Sequence, residues 1–249
     1  MKIKHFLLTT IFILYMVMYY TSPVGAVSKG LLSSEDINTT PQGKVIYLTF
    51  DDGPSSTVTG EILDILKEQN VKASFFIIGY KIEGREDLLK RMHNEGHSVG
   101  LHTYTHKCNV IYSSENSFLE EMTKTENEVK KFLGFSPKII RFSRREVGSK
   151  NHLTTSLLEK LHTNEYKIYD WNLSLSDGIN YRTPVDKLYN EATKKCVNPN
   201  KIFLLAHCDG TNENTCKVLP KIIKYYKDCG YEFKAITENT PEYYFRISK

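Results

Sequence analysis

The chain has no strong excess of either charge. Its 249 residues carry 33 Lys and Arg against 29 Asp and Glu, a formal +4, too weak a basic balance to argue for a nucleic-acid partner. Paired Cys-x-x-Cys spacing is also missing. The five cysteines, Cys108, Cys196, Cys208, Cys216 and Cys229, are odd in number and scattered, which excludes a zinc knuckle or a small disulfide scaffold. They read as small buried hydrophobes, with a Cys208–Cys216 bridge left open. The N-terminal apolar stretch, Phe6 to Thr21, is 16 residues long, short against the roughly 20 that span a bilayer.

That stretch has another reading. Lys2 and Lys4 precede it, and Val24 and Ala26 place small side chains at the −3 and −1 positions of a cleavage site, the pattern of a secretory leader. Residues 1–26 are therefore expected to be a signal peptide or, uncleaved, a membrane anchor. In both cases the working domain lies outside the cytoplasm, and any membrane contact comes only through this segment. Residues 27–43, rich in Ser, Thr, Asn and Gly with Pro41, read as a linker.

With 40% hydrophobic and 25% charged residues, the remainder is globular in composition. From Val45 onward, strand-like and helix-like segments alternate. The strands are 45–50, 73–79, 97–102, 139–142, 167–171, 202–206 and 232–236. The helices between them are 62–69, 85–94, 117–133, 152–162, 184–195 and 216–228. Seven such units predict a parallel sheet. The placement of polar residues favours a distorted (β/α) barrel over an open doubly wound sheet, because Asp51, His102, Arg141, Asp170 and His207 fall at or just past the carboxyl ends of strands, where barrel enzymes assemble their sites.

Two motifs carry the chemistry. Asp51 and Asp52 sit in Thr49-Phe-Asp-Asp-Gly-Pro54 at the end of an apolar run, and His102 and His106 sit in His-Thr-Tyr-Thr-His. One Asp with two imidazoles four residues apart makes a three-ligand metal set with open positions. Taken singly, each motif is ordinary: a turn built on Gly53 and Pro54, a pair of satisfied imidazoles. Their conjunction makes a hydrolytic site.

Those motifs, with Arg141 after a strand, Asp170 beside Trp171 and Leu205 two before His207, resemble in order and spacing the polysaccharide deacetylase family, the NodB-homology carbohydrate esterases of family 4. The resemblance covers about residues 44–240, leaving 241–249 as a tail. It implies a distorted (β/α) barrel that hydrolyses acetyl groups from acetylated glycans with one divalent cation. By resemblance, Asp52, His102 and His106 hold the metal, Asp51 is the base and His207 the acid. Arg141 then pairs with the base, Asp170 holds the acid histidine, and Trp171 and Leu205 line the acetyl pocket. Zinc is the first expectation, with cobalt, nickel or manganese as alternatives. The expected substrate is N-acetylglucosamine of a wall polysaccharide, peptidoglycan first. O-acetyl esterase activity, or glycan binding without turnover, are the alternatives.

Three departures stand out. The family follows its arginine with one residue and then proline, whereas this chain reads Arg141-Phe-Ser-Arg-Arg145. Lys167 stands where an acidic residue is usual. Asp209, two after His207, reads as a turn residue.

Overall fold

The computed structural model describes residues 43–143, 152–194, 199–245 and 247. The leader and nearly all of the linker, Arg144, Arg145 and Cys196 lie outside the described residues. No helix among the described residues is long and apolar enough to cross a membrane.

The first strand, β1 (Val45–Gly53), organises the sheet. It pairs in parallel with β2 (Ser74–Ile77) on one side and with β7 (Lys201–His207) on the other. Beyond β2 come β3 (Ser98–Leu101), β4 (Ile139–Ile140) and β5 (Lys167–Ile168); beyond β7 comes β6 (Leu173–Ser174). A short β8 (Glu232–Phe233) pairs with Val45 and Ile46 at the start of β1. Among the described residues, these strand pairings are all parallel. The order β5-β4-β3-β2-β1-β7-β6 is a curled, incompletely closed barrel: the alternation predicted its parallel sheet, and the placement of polar residues its barrel form.

Strand alternation divides the side chains into two layers. Ile46, Leu48 and Phe50 of β1, Phe75 and Ile77 of β2, Leu101, Ile140, Ile168 and the even-numbered residues of β7 join the helices in one large core. The other face of the same strands holds a smaller cluster of Tyr47, Phe76, Ile139, Tyr169, Phe203 and Ile236 inside the barrel. Continuing that inner face toward the carboxyl ends gives Asp51, His102, Arg141 and His207. Period-two geometry alone thus brings the four to one rim. Gly100 belongs to this layer: a methyl there would stand 2.7 Å from the Phe76 ring and 2.9 Å from Ile139, so only glycine lets that ring lie flat beneath the site.

Helices cover the outer layer with conventional signals. Ser114 caps α4 (Glu115–Leu133), its hydroxyl accepting from the Ser117 N–H, and Gly134 ends it at φ 78°. Thr154 caps α5 (Thr155–Thr163) in the same way. The preceding helices are α1 (Val58–Glu68), α2 (Glu86–Asn94) and the single turn α3 (Cys108–Ile111); α6 (Val185–Thr193) and α7 (Glu213–Asp228) follow.

Past Thr240 the chain adds to the barrel wall. Tyr243 bridges Tyr169, and its ring stacks on Phe203 at 5.1 Å. The stretch read as a tail therefore extends the inner cluster beside β5. Cys208 and Cys216 are both free and buried, so the bridge left open by the sequence does not form.

His97, just before β3, is 5% exposed and meets the edge of Phe75. Its Nδ1 accepts from the Ala73 N–H at 3.2 Å, and burial holds its pKa down at about 4. The unfolded chain binds that proton near 6.5, so between those values the unfolded state carries the extra proton and stability rises with pH. Urea midpoints measured across pH 4 to 6.5 should climb with pH, and His97→Gln should flatten the climb by up to one proton's worth of slope.

Candidate active site

At the end of β1 the register slips: Asp51 pairs with Phe76 and Gly53 with Ile77, leaving Asp52 as an extra residue. Asp52 takes a left-handed conformation, φ 71°. A bulge with such a residue re-aims one side chain without ending the strand. This is how adjacent carboxylates come to face different partners.

The Asp52 carboxylate turns to the two imidazoles. Its Oδ1 lies 3.5 Å from His102 Nε2 and 3.3 Å from His106 Nε2, and one donor atom from each of the three residues lies within 4.8 Å of the others. Asp52 Oδ1 is buried with no hydrogen-bond partner. An orphaned carboxylate oxygen facing two imidazole nitrogens suits a cation, since a buried anion needs compensation. His102 Nδ1 lies 3.0 Å from the Arg141 carbonyl, an acceptor that keeps the proton on Nδ1 and leaves Nε2 as the ligand atom. Burial alone would raise the Asp52 pKa, but the positive potential of His102, His106, His207 and Lys81 outweighs it and the net shift is downward. The carboxylate is ready as a ligand.

Asp51 turns the other way, to Arg141. The guanidinium is fully buried; Nη1 donates to Asp51 Oδ1 at 2.9 Å and to Thr49 Oγ1 at 2.6 Å, Nε to the Tyr169 carbonyl at 2.7 Å, and Nη2 to the Asp170 carbonyl at 3.1 Å. It lies 4.2 Å from the Phe76 ring centroid. His207 is the register partner of Asp51 across β1 and β7, so acid and base candidates stand side by side on neighbouring strands.

The partner expected for His207 was Asp170. The structure places Asp177 there instead. Asp177 Oδ1 lies 2.9 Å from His207 Nδ1, and Oδ2 accepts from the His207 N–H at 2.8 Å and from Thr215 Oγ1 at 2.8 Å. Asp170 faces the C-terminal segment, accepting from the Phe245 N–H at 2.8 Å. The reason is topological: β6 pairs with β7, so the 3-10 turn that follows it (Ser176–Gly178) lands beside His207, while Asp170 follows β5 on the far edge of the sheet. Burial pushes the His207 pKa down, but the bond and charge of Asp177, helped by Asp51 and Asp52, raise it to about 9. Gly178 completes the fit, since a methyl there would lie 2.2 Å from His207 Cε1.

Two further residues escaped the sequence reading. Glu121, buried in α4, accepts from the N–H groups of Tyr104 and Thr105 and from Thr105 Oγ1 at 3.0, 2.7 and 3.0 Å. It folds the loop that presents His102 and His106, in which Thr103 and His106 are left-handed at φ 76° and 54°. Its signal was a carboxylate on an otherwise apolar helix face with Phe118, Met122, Thr125 and Val129. Lys81 donates to the Asp52 carbonyl at 2.9 Å and to Asp209 Oδ2 at 2.5 Å, so Asp209 clamps the rim besides accepting in its own turn from the Thr211 N–H at 3.3 Å.

Trp171 and Leu205 divide. Leu205 is buried on the inner face of β7, two residues before His207. Trp171 packs on the inner cluster, its ring edge-on to Phe245 at 5.2 Å and 5.9 Å from the Arg141 guanidinium. Ser143, where the family has proline, is buried, its Oγ without a hydrogen-bond partner among the described residues.

Comparison with known proteins agrees with this geometry. A family model for polysaccharide deacetylases matches residues 38–165. The peptidoglycan-N-acetylglucosamine deacetylase of Bacillus cereus is 32% identical over 245 residues, covering 91% of this chain and 87% of that protein. Among solved structures, a carbohydrate esterase family 4 enzyme of Streptococcus mutans superposes with a TM-score of 0.72 at 30% identity, covering 78% of this chain and 86% of the other. A Bacillus cereus polysaccharide deacetylase superposes at 0.70 and 32%, covering 82% and 96%. The chain belongs to the polysaccharide deacetylase family.

The two aspartates are separable by titration. In metal-free protein followed by NMR, Asp177→Asn should drop the His207 pKa well below about 9, because burial is then opposed only by the charges of Asp51 and Asp52. Asp170→Asn should leave that titration nearly in place. Equal effects of the two variants would contradict the assignment.

Proposed function

We propose that this protein is a metal-dependent N-deacetylase acting on N-acetylglucosamine residues of a cell-wall polysaccharide, peptidoglycan first among them. The observation that carries the reading is the convergence of Asp52, His102 and His106 on one point, beside an Arg141-held Asp51 that is register partner to His207. The named relative from Bacillus cereus supports the substrate.

Asp52, His102 and His106 would hold the cation, and imidazole with carboxylate suits zinc first, with cobalt, nickel or manganese as alternatives. When bound, such an ion supplies Lewis acidity toward the acetyl carbonyl and lowers the pKa of water. Asp51 takes the proton of the attacking water; Arg141 fixes its carboxylate so that the accepting oxygen is already placed. His207, protonated at neutral pH with Asp177 at Nδ1, delivers a proton from Nε2 to the departing nitrogen. That proton is indispensable for an amide, whose nitrogen leaves poorly as an anion. Leu205 and Trp171 supply an apolar wall for a methyl group.

Export of the domain is part of the same proposal. A wall substrate requires it, and Lys2, Lys4, the apolar run from Phe6 and the small residues Val24 and Ala26 support it.

Acetate release from acetylated chito-oligosaccharides and from peptidoglycan is the direct assay. Asp51→Asn and His207→Ala should each lower kcat by about 10²–10⁴, the usual contribution of a positioned acid or base. His207→Ala should cost much less on an activated O-acetyl ester, whose leaving group needs no proton. Failure of the wild-type protein to release acetate from any glycan with any of the four metals would overturn the reading.

Metal binding is measurable without turnover. Zinc at about 100 times its Kd should stabilise the fold by about 2.7 kcal/mol, seen as a raised Tm that EDTA reverses. The shift should vanish in Asp52→Ala and His106→Ala.

A further inference from the structure

We infer that Tyr112 is a positioning residue of the hydrolytic site, holding the end of β4 in the place that the family fixes with proline. The inference rests on the cation-set and deacetylase readings and deepens them.

Proline sets its own φ at about −65° through its ring. Serine leaves both backbone dihedrals to be fixed from outside, against their entropy. The sheet supplies little of that order here, since β4 consists of Ile139 and Ile140 alone. The chain beyond it nevertheless carries Arg141, whose guanidinium holds Asp51 and whose carbonyl lies 3.0 Å from His102 Nδ1. A hold on the chain past Arg141 is therefore a hold on the base and on one imidazole.

Tyr112 supplies that hold from the stretch that carries His106. It ends α3, its N–H donating to the Cys108 carbonyl at 3.0 Å. Its hydroxyl donates to the Ser143 carbonyl. Its ring stacks on Phe118 at 6.0 Å, and Phe118 stacks in turn on Phe142 at 4.4 Å. The same ring lies parallel to the His152 ring, 3.7 Å away with 4° between the planes. One side chain thus engages both residues that follow Arg141, Ser143 directly and Phe142 through a shared aromatic neighbour.

A closed circuit results. The chain runs from His102 through His106 and α3 to Tyr112, crosses to Ser143 by the hydroxyl bond, and returns through the Arg141 carbonyl to His102. A tie of this kind orients a ligand without touching it, as the outer partners of metal ligands do. Proline at 143 would break no bond, because neither the N–H nor the Oγ of Ser143 has a hydrogen-bond partner among the described residues.

The test measures zinc affinity by chelator competition, and kcat and KM on acetylated chito-oligosaccharides, in wild type, Tyr112→Phe, Ser143→Pro and the double variant. The Tm of each zinc-free protein is followed alongside. Tyr112→Phe keeps the stacked ring and removes only the hydroxyl. It should weaken zinc binding and lower kcat by about tenfold or more, within the 10–100-fold usual for such outer partners, with KM little changed. The double variant should regain most of both losses. A merely structural tyrosine would lower the zinc-free Tm and leave zinc affinity in place; that result, or a loss that proline does not restore, would overturn the inference. If the proline variants show no zinc-free folding transition, Ser143→Gly takes their place. Its cost in zinc affinity should be greater in the Tyr112→Phe background than in wild type, and additive costs would overturn the tie. Zinc binding that depends on Tyr112 without acetate release would overturn the activity and keep the positioning role. A wild type that binds none of the four metals would overturn the cation set and this inference together.

Discussion

A guanidinium taken wholly out of water governs this rim. Arg141 has no solvent of its own, and an isolated buried cation costs several kcal/mol, so the fold had to bring it a charge and acceptors. It finds them on one strand and past the end of another: Asp51 and Thr49 on β1, and the carbonyls of Tyr169 and Asp170 past β5. The bonds that satisfy Arg141 therefore also fix where the ends of β1, β4 and β5 lie relative to one another. Its own carbonyl meets His102 Nδ1, so the same residue aligns a candidate metal ligand. One desolvated charge thus couples the base to the cation-binding set.

The bulge at Asp52 is the second constraint. A left-handed non-glycine residue costs of order 1–3 kcal/mol, and three such residues, Asp52, Thr103 and His106, sit in the site. Each is held by specific bonds: Lys81 to the Asp52 carbonyl, Thr103 Oγ1 from the His106 N–H, Glu121 to the amides between them. Strain is concentrated where side chains must converge, and the surrounding polar network offsets it.

The sequence showed this site unevenly, for physical reasons. Asp51, His102, Arg141 and His207 were legible because strand alternation and strand ends leave a period in the chain, and Asp52 and His106 because they stand in the same two short motifs. Asp177 was not, because β6 is only two residues long and its importance comes from a pairing with β7 that no local pattern announces. Asp170 attracted the role by its order in the chain, yet it belongs to a different edge of the sheet. Glu121 and Lys81 act from a helix face and a 3-10 turn (Gly79–Ile82), through contacts 17 and 29 residues away in sequence. The outer core was readable from apolar periodicity, while the contribution of Tyr243 to the inner wall depended on a chain end docking back.

Charge balance around His207 shows why its partner is carried by a turn rather than by the metal set. Its raised pKa comes first from Asp177, with Asp51 and Asp52 adding to it. The Asp52 share is the one that a cation at Asp52, His102 and His106 would cancel, and the cation's own charge would act in the same direction. Both effects would lower the His207 pKa, toward the range in which a general acid works best at neutral pH. Asp177 is not one of the three residues that converge as a cation set, and its carboxylate is held by Thr215 and His207. The fold thereby gives the candidate acid a carboxylate partner that is not among the three candidate cation ligands.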